Sequence, residues 1–413
     1  MPKITKILAR EILDSRGSPT VEATVFTKNN KASASVPSGA STGKHEAVEL
    51  RDKGTRYLGK GVLKAVRNIK GPIAKRLIGR DILEQEFIDE AMIHLDGTPE
   101  KKRLGANATL AVSMACARLG AKEKDTPLFK HLTRTYKLRN TKMPRPFFNI
   151  INGGKHAGND LAIQEYMISP KAKKFSEALR KGSEIYLALK EKLKRKYGKF
   201  AVNIGDEGGF APPLKCIEAP LDEIMETALE FTYANDIKLA IDAAATSFYT
   251  KTRYLIEGGF KTKEWLKKWY IDTAKAYPLI SIEDPFYEED FEGFAELNKK
   301  IGKKVQIVGD DLLCTNIERI NKAIEKKSCN TLLLKPNQIG TVTEAIRAAK
   351  LAMKNKWNVM VSHRSGETND NFIAHLSVAL GSGEIKSGAP CRGERLAKYN
   401  ELLRIEEEYK VKS

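Results

Sequence analysis

The chain has 413 residues, 41% hydrophobic and 30% charged, which suits a soluble enzyme with a sizeable core. Its 71 basic and 52 acidic side chains give a formal charge of +19, a balance that favours acidic substrates, nucleic acid or anionic surfaces. Five scattered cysteines, none in a Cys-x-x-Cys pair, argue against a disulfide or zinc framework and for buried thiols in a reducing compartment, and no segment approaches the roughly 18 apolar residues of a membrane span.

The N-terminus alternates charged and apolar residues through Lys3, Lys6, Arg10 and Glu11. It lacks the apolar core of a signal peptide, so a cytoplasmic protein is expected. Residues 4–13, 20–26 and 32–36 read as strands joined by turns at 14–19 and at Asn29-Asn30. They predict a three-stranded antiparallel meander. Small and apolar residues over 107–119 predict a helix buried on several sides. Near 133–146 the chain turns basic and irregular, with Pro144 and Pro146. The domain boundary is placed there, giving an N-terminal α+β domain over 1–135 and a second domain over 136–413. Amphipathic helices are expected over 174–197 and 341–357.

The second domain carries six short apolar runs that each stop at a polar or charged residue. They end at Asp242, Glu283, Asp310, Lys335, His363-Arg364 and Lys386. Helix-like stretches fill most of the gaps, so the fold class is α/β with a β/α barrel whose chemistry sits at the carboxyl ends of the strands. Three hard oxygen ligands without histidine or thiolate favour Mg²⁺. The competing reading is three surface acids at loop starts. Lys335 follows a buried run, and beside bound cations its pKa is expected to fall, making it a base. The alternative is a lysine that only pairs with one of the acids. Arg364 suits bidentate recognition of phosphate or carboxylate.

Three glycine-rich loops add candidates. Residues 37–43 combine small residues with the hydroxyls of Ser38, Ser41 and Thr42, which allow close approach to metal or phosphate. Residues 152–159 carry His156, and residues 203–210 carry Asp206 and Glu207. A surface turn is the plain alternative for the last. Basic runs at Lys192, Lys194, Arg195, Lys196 and at Lys299, Lys300, Lys303, Lys304 lack interleaved aromatics. Most of the charge therefore reads as solvated surface, although the first run is also a candidate phosphate-binding stripe for RNA or an anionic surface.

The motifs DSRGSPT, VPSGASTG, LGANA, GGKHAGN, QEYM, GDEGGFAP, SIEDPF, GDDL, LLLKPNQIGT, VSHRSGET and SGAPCRGER occur in this order from Asp14 to Arg395. In these the chain resembles the enolase family over essentially its whole length. The resemblance implies an N-terminal α+β domain and a modified β/α barrel whose second strand is antiparallel. It implies a carbon–oxygen lyase, phosphopyruvate hydratase, that reversibly dehydrates 2-phospho-D-glycerate to phosphoenolpyruvate in glycolysis and gluconeogenesis. By motif match Asp242, Glu283 and Asp310 would hold one Mg²⁺, and Ser41 would bind a second. Lys335 matches the general base and Glu207 the general acid. His156, Glu165, His363, Arg364, Ser365 and Lys386 match residues at the substrate. A homodimer or homo-octamer is also implied. The chain departs from the family pattern at residues 243–248 and at Lys155, where serine is common, and its positive charge is unusual for the family. A sugar-acid dehydratase of the wider superfamily is the second enzyme reading, since it needs the acids but not Arg364, Ser365 or the Ser41 loop.

Overall fold

The computed structural model describes residues 1–39, 43–139 and 141–411. The expected meander is present as β1 (Lys6–Leu13), β2 (Pro19–Phe26) and β3 (Lys31–Ser35), antiparallel throughout. The pairing of Ile7 with Val25 and Ala9 with Ala23 sets one apolar face inward. The helix Ala106–Glu123 packs across β2 and β3. Its run of alanines lets the backbones approach closely, which explains burial on most of its circumference.

The second domain is a closed eight-stranded barrel. In chain order its strands are β4 (Arg145–Asn152), β5 (Glu165–Pro170) and β6 (Ile237–Asp242), then β10 (Leu279–Glu283), β11 (Gln306–Gly309), β12 (Thr331–Leu334), β13 (Asn358–Ser362) and β14 (Glu384–Lys386). Between β6 and β10 lies a small outer sheet of β7 (Tyr249–Thr250), β8 (Arg253–Ile256) and β9 (Gly259–Lys261). β5 runs antiparallel to both neighbours, and every other barrel pair is parallel.

The helices Phe175–Tyr197 and Val342–Lys354 form close to their expected limits. Thr341 caps the second by accepting from the Glu344 N–H while its hydroxyl donates to the Glu344 carboxylate at 2.7 Å, which fixes the start. Inside the barrel, Phe147, Met167, Ala240, Val308, Leu333 and Met360 meet as a separate apolar cluster. Each comes from a different strand, and together they fill the lumen.

The five cysteines are unpaired. Cys116, Cys314 and Cys329 are buried as expected, but Cys216 is exposed and Cys391 half-buried. In the basic run on the helix Phe175–Tyr197, Lys192 departs from the expected solvated surface. Lys192 is buried, 3.1 Å from Glu223 and 2.6 Å from Glu226, and Lys196 lies 2.5 Å from Glu223. Glu223 and Glu226 belong to the neighbouring helix Ala219–Leu229, while Lys194 and Arg195 of the same run are exposed. Lys299, Lys300, Lys303 and Lys304 are exposed.

Candidate active site

Parallel strands deliver their last residues to one rim, and the register aligns them. Asp242 on β6 stands opposite Glu283 on β10 and opposite Glu165 on β5. Glu165 reaches the rim from the start of its strand because β5 is reversed, so a rule that inspects only strand ends passes over it. Asp310 follows β11, Lys335 follows β12, and His363 and Arg364 follow β13.

A cavity of about 160 Å³ opens at this rim. His156, Glu165, Glu207, Asp242, Asp310, Lys335, His363, Arg364, Ser365 and Lys386 all line it, with Gly39 and Gly43 contributed by the first domain. Glu283 lies just beneath, almost fully buried. Ser41 falls outside the described residues.

The charges form three groups. Lys386 Nζ stands 2.9 Å from Asp242, 2.8 Å from Glu283 and 3.3 Å from Glu165. Burial pulls this ammonium down, but the three carboxylates outweigh it and hold it well above the ordinary lysine range. Burial pushes Glu283 well up, with Asp242 adding to the shift, and Glu165 is pushed up to about 7 by burial against the pull of Lys386.

In the second group Lys335 donates to Asp310. Burial lowers the lysine, Asp310 raises it, and the net direction is upward. The fall expected from the sequence applies to Lys335 beside bound cations. Asp310 is itself held by Gln338, which donates at 2.8 Å, while the Asp284 carboxylate accepts from the backbone N–H groups of Asp310 and Asp311 at 2.9 and 2.7 Å.

The third group is His156 Nδ1, 2.7 Å from Glu207 Oε1, with Asn152 donating to the other Glu207 oxygen at 2.8 Å. Burial acts against both charges, yet each sustains the other: Glu207 falls to about 2 and His156 rises.

Arg364 is gripped by Glu46, with N–H···O distances of 2.9 and 3.1 Å, and also donates to Asn337 at 3.1 Å. Sequence reasoning missed Glu46, Gln338, Asp284 and Asn152. All four lie in or beside the quoted motifs, but no spacing rule marks them.

The carboxylates fit Mg²⁺. Glu283 Oε1 and Glu165 Oε2 are buried and lack a hydrogen-bond partner among the described residues, an arrangement that a hard cation relieves. The grouping differs in one respect from three acids closing on one point. Asp310 offers an oxygen within 4.8 Å of Asp284 and Asp311, whereas Asp242 and Glu283 meet through Lys386.

A barrel with one reversed strand, an α+β domain against its mouth, and acids and amines interleaved at the strand ends together define a class of enzyme built for acid–base chemistry on an anionic substrate. Residues 4–132 match the family described as "Enolase, N-terminal domain", and residues 140–413 match "Enolase, C-terminal TIM barrel domain". The enolase of Methanocaldococcus jannaschii is 56% identical over 98% of this chain and 95% of its own length. The Methanopyrus kandleri enolase is 53% identical over 99% and 96%, and enolase B of Dictyostelium discoideum is 52% identical over 98% and 95%. The chain belongs to the enolase family.

Proposed function

We propose that the residues at this rim carry out the enolase reaction, the reversible dehydration of 2-phospho-D-glycerate to phosphoenolpyruvate, in the roles that follow. The observation that carries the reading is the placement of an amine, Lys335, and a close histidine–carboxylate pair, His156–Glu207, on one small cavity that Arg364 and Ser365 also line.

Arg364 and Ser365 bind the phosphate and so place C2 against Lys335. Lys335 removes the C2 proton once it has given up its own to become a free amine. Removal leaves a doubly charged carboxylate–enolate, and the Lys386 ammonium stabilises that charge as it grows. Glu207 delivers the proton stored with His156 to the departing hydroxide, which is a poor leaving group without it. Glu165 keeps Lys386 and the acids in register.

The enzyme uses Mg²⁺, and Asp242, Glu283 and Asp310 are the residues that would hold it. Bound there, the ion supplies positive charge against the substrate carboxylate. A second ion at Ser41 belongs to the same reading.

The substrate is a phosphorylated small molecule, and among the described residues no helix is long and apolar enough to cross a membrane. A cytoplasmic location, a homodimer or homo-octamer, and a domain division at 135/136 complete the proposal. The division is supported by the irregular stretch between the helix Leu128–Thr135 and β4.

The test is growth of ultraviolet absorbance as phosphoenolpyruvate forms, with and without EDTA. Turnover that survives EDTA, or that appears with unphosphorylated sugar acids but not with 2-phosphoglycerate, overturns the reading.

A further inference from the structure

Arg395 is among the largest fully buried side chains of the protein. Its guanidinium sits directly behind the phosphate-binding end of β13. One terminal nitrogen donates to His363 Nδ1 at 2.7 Å and to the Arg364 carbonyl at 2.5 Å. The other donates to the Ser365 carbonyl at 2.6 Å and to the Asp206 carbonyl at 2.8 Å. Two hydrogens on each nitrogen account for all four bonds, so none remains to be redistributed.

This allocation fixes the chemistry of His363. A guanidinium has no acceptor, so His363 Nδ1 must be the acceptor and carries no proton. The ring is then neutral, with its hydrogen on Nε2. An imidazolium would set two N–H groups against each other at 2.7 Å. Burial, followed by Arg395, Lys386, Lys335 and Lys398, also holds His363 well below the ordinary histidine range. His363 lines the cavity, so the nitrogen that keeps its proton belongs to a ring of the active site.

We propose that Arg395 is a positioning residue that locks His363 as the neutral Nε2–H tautomer, so that His363 acts on the substrate only as a hydrogen-bond donor to a phosphate or departing hydroxyl oxygen and never as a base. The same guanidinium ties the carbonyls of Arg364 and Ser365 to that of Asp206, the residue before Glu207. Phosphate binder, donor and acid are thereby held in one frame. The inference rests on the enolase reading for the identity of the acceptor oxygen.

The decisive experiment is nitrogen NMR of histidine-labelled, ligand-free protein, with His363 assigned by the signal lost in His363→Phe. The expected spectrum shows an unprotonated Nδ1 and a protonated Nε2. A protonated Nδ1 overturns the proposal, and it does so even if turnover proves the reaction itself. Absence of turnover with the expected spectrum instead faults the reaction and leaves the tautomer standing. Arg395→Met, where it folds, is expected to release the lock and bring in the Nδ1–H form; an unchanged spectrum would refute the role of Arg395. Where it does not fold, the wild-type spectrum still decides. In turnover, His363→Phe is expected to lose about 100-fold, the cost of one preorganised donor. His363→Gln, which restores an N–H near Nε2 but no base, is expected to keep activity within about tenfold of wild type, whereas loss on the scale of about 10²–10⁴ expected for a missing base would overturn the donor role.

Discussion

Replacing Lys386 with methionine keeps most of the side-chain volume and removes one ammonium from the barrel rim. That ammonium faces three carboxylates within 3.3 Å, and all four groups are buried. Removing one partner of a buried pair costs about 3–5 kcal/mol, because the remaining charge has neither water nor a counter-ion. Here the stranded charge is shared by Asp242, Glu283 and Glu165, so the upper end of that range is expected in EDTA. Saturating Mg²⁺ should return part of it: a ligand at 100 times its dissociation constant contributes about 2.7 kcal/mol. The assay is denaturant unfolding of wild type and variant, each with EDTA and with Mg²⁺. The expected pattern is a large deficit in EDTA, a larger Mg²⁺ stabilisation in the variant than in wild type, and lost turnover in both media. A variant as stable as wild type in EDTA would refute the account of the rim as acids neutralised by one lysine.

Lys335→Ala and Glu207→Gln should separate the two halves of the reaction. The first is expected to abolish both dehydration and deuterium exchange at C2, while the second loses dehydration by about 10²–10⁴-fold yet keeps exchange, since the base is intact; exchange surviving in Lys335→Ala would remove that residue from its role. Gly182→Ala places a methyl 2.5 Å from a ring carbon of Phe148, where the helix Phe175–Tyr197 crosses β4, and is expected to cost about 1–3 kcal/mol in a denaturation midpoint. Burial raises Asp89 to about 6 from 3.8 while it accepts from Thr343. A raised carboxyl lends full stability below about pH 4 and loses it as pH climbs through 6, a change of about 3 kcal/mol. Asp89→Asn should flatten that slope relative to wild type; parallel pH profiles would count against it.

Six of the barrel strands were legible because each is a short apolar run closed by a charged or polar group, and a parallel barrel sends every such end to one rim. β5 was not legible in that way. Its rim residue stands at the beginning, and only the likeness of the QEYM segment pointed to Glu165. Partners that meet across the fold left still less trace. Glu46 and Arg364 are 318 positions apart, and nothing local in either segment encodes their pairing. Arg395 sits 32 residues after His363 and ends a motif, yet its reach to three backbone carbonyls depends on how the last helix docks. The burial of Lys192 has the same origin. Lys192 looks like surface charge in the sequence, and only the packing of two helices turns it inward to Glu223.

The six side chains stacked in the lumen turn the barrel into a cup with a floor. That floor closes the route through the barrel, so reactant, product and the eliminated water meet the protein at the rim that Gly39 and Gly43 help to line. Arrival and departure therefore use the same end of the barrel.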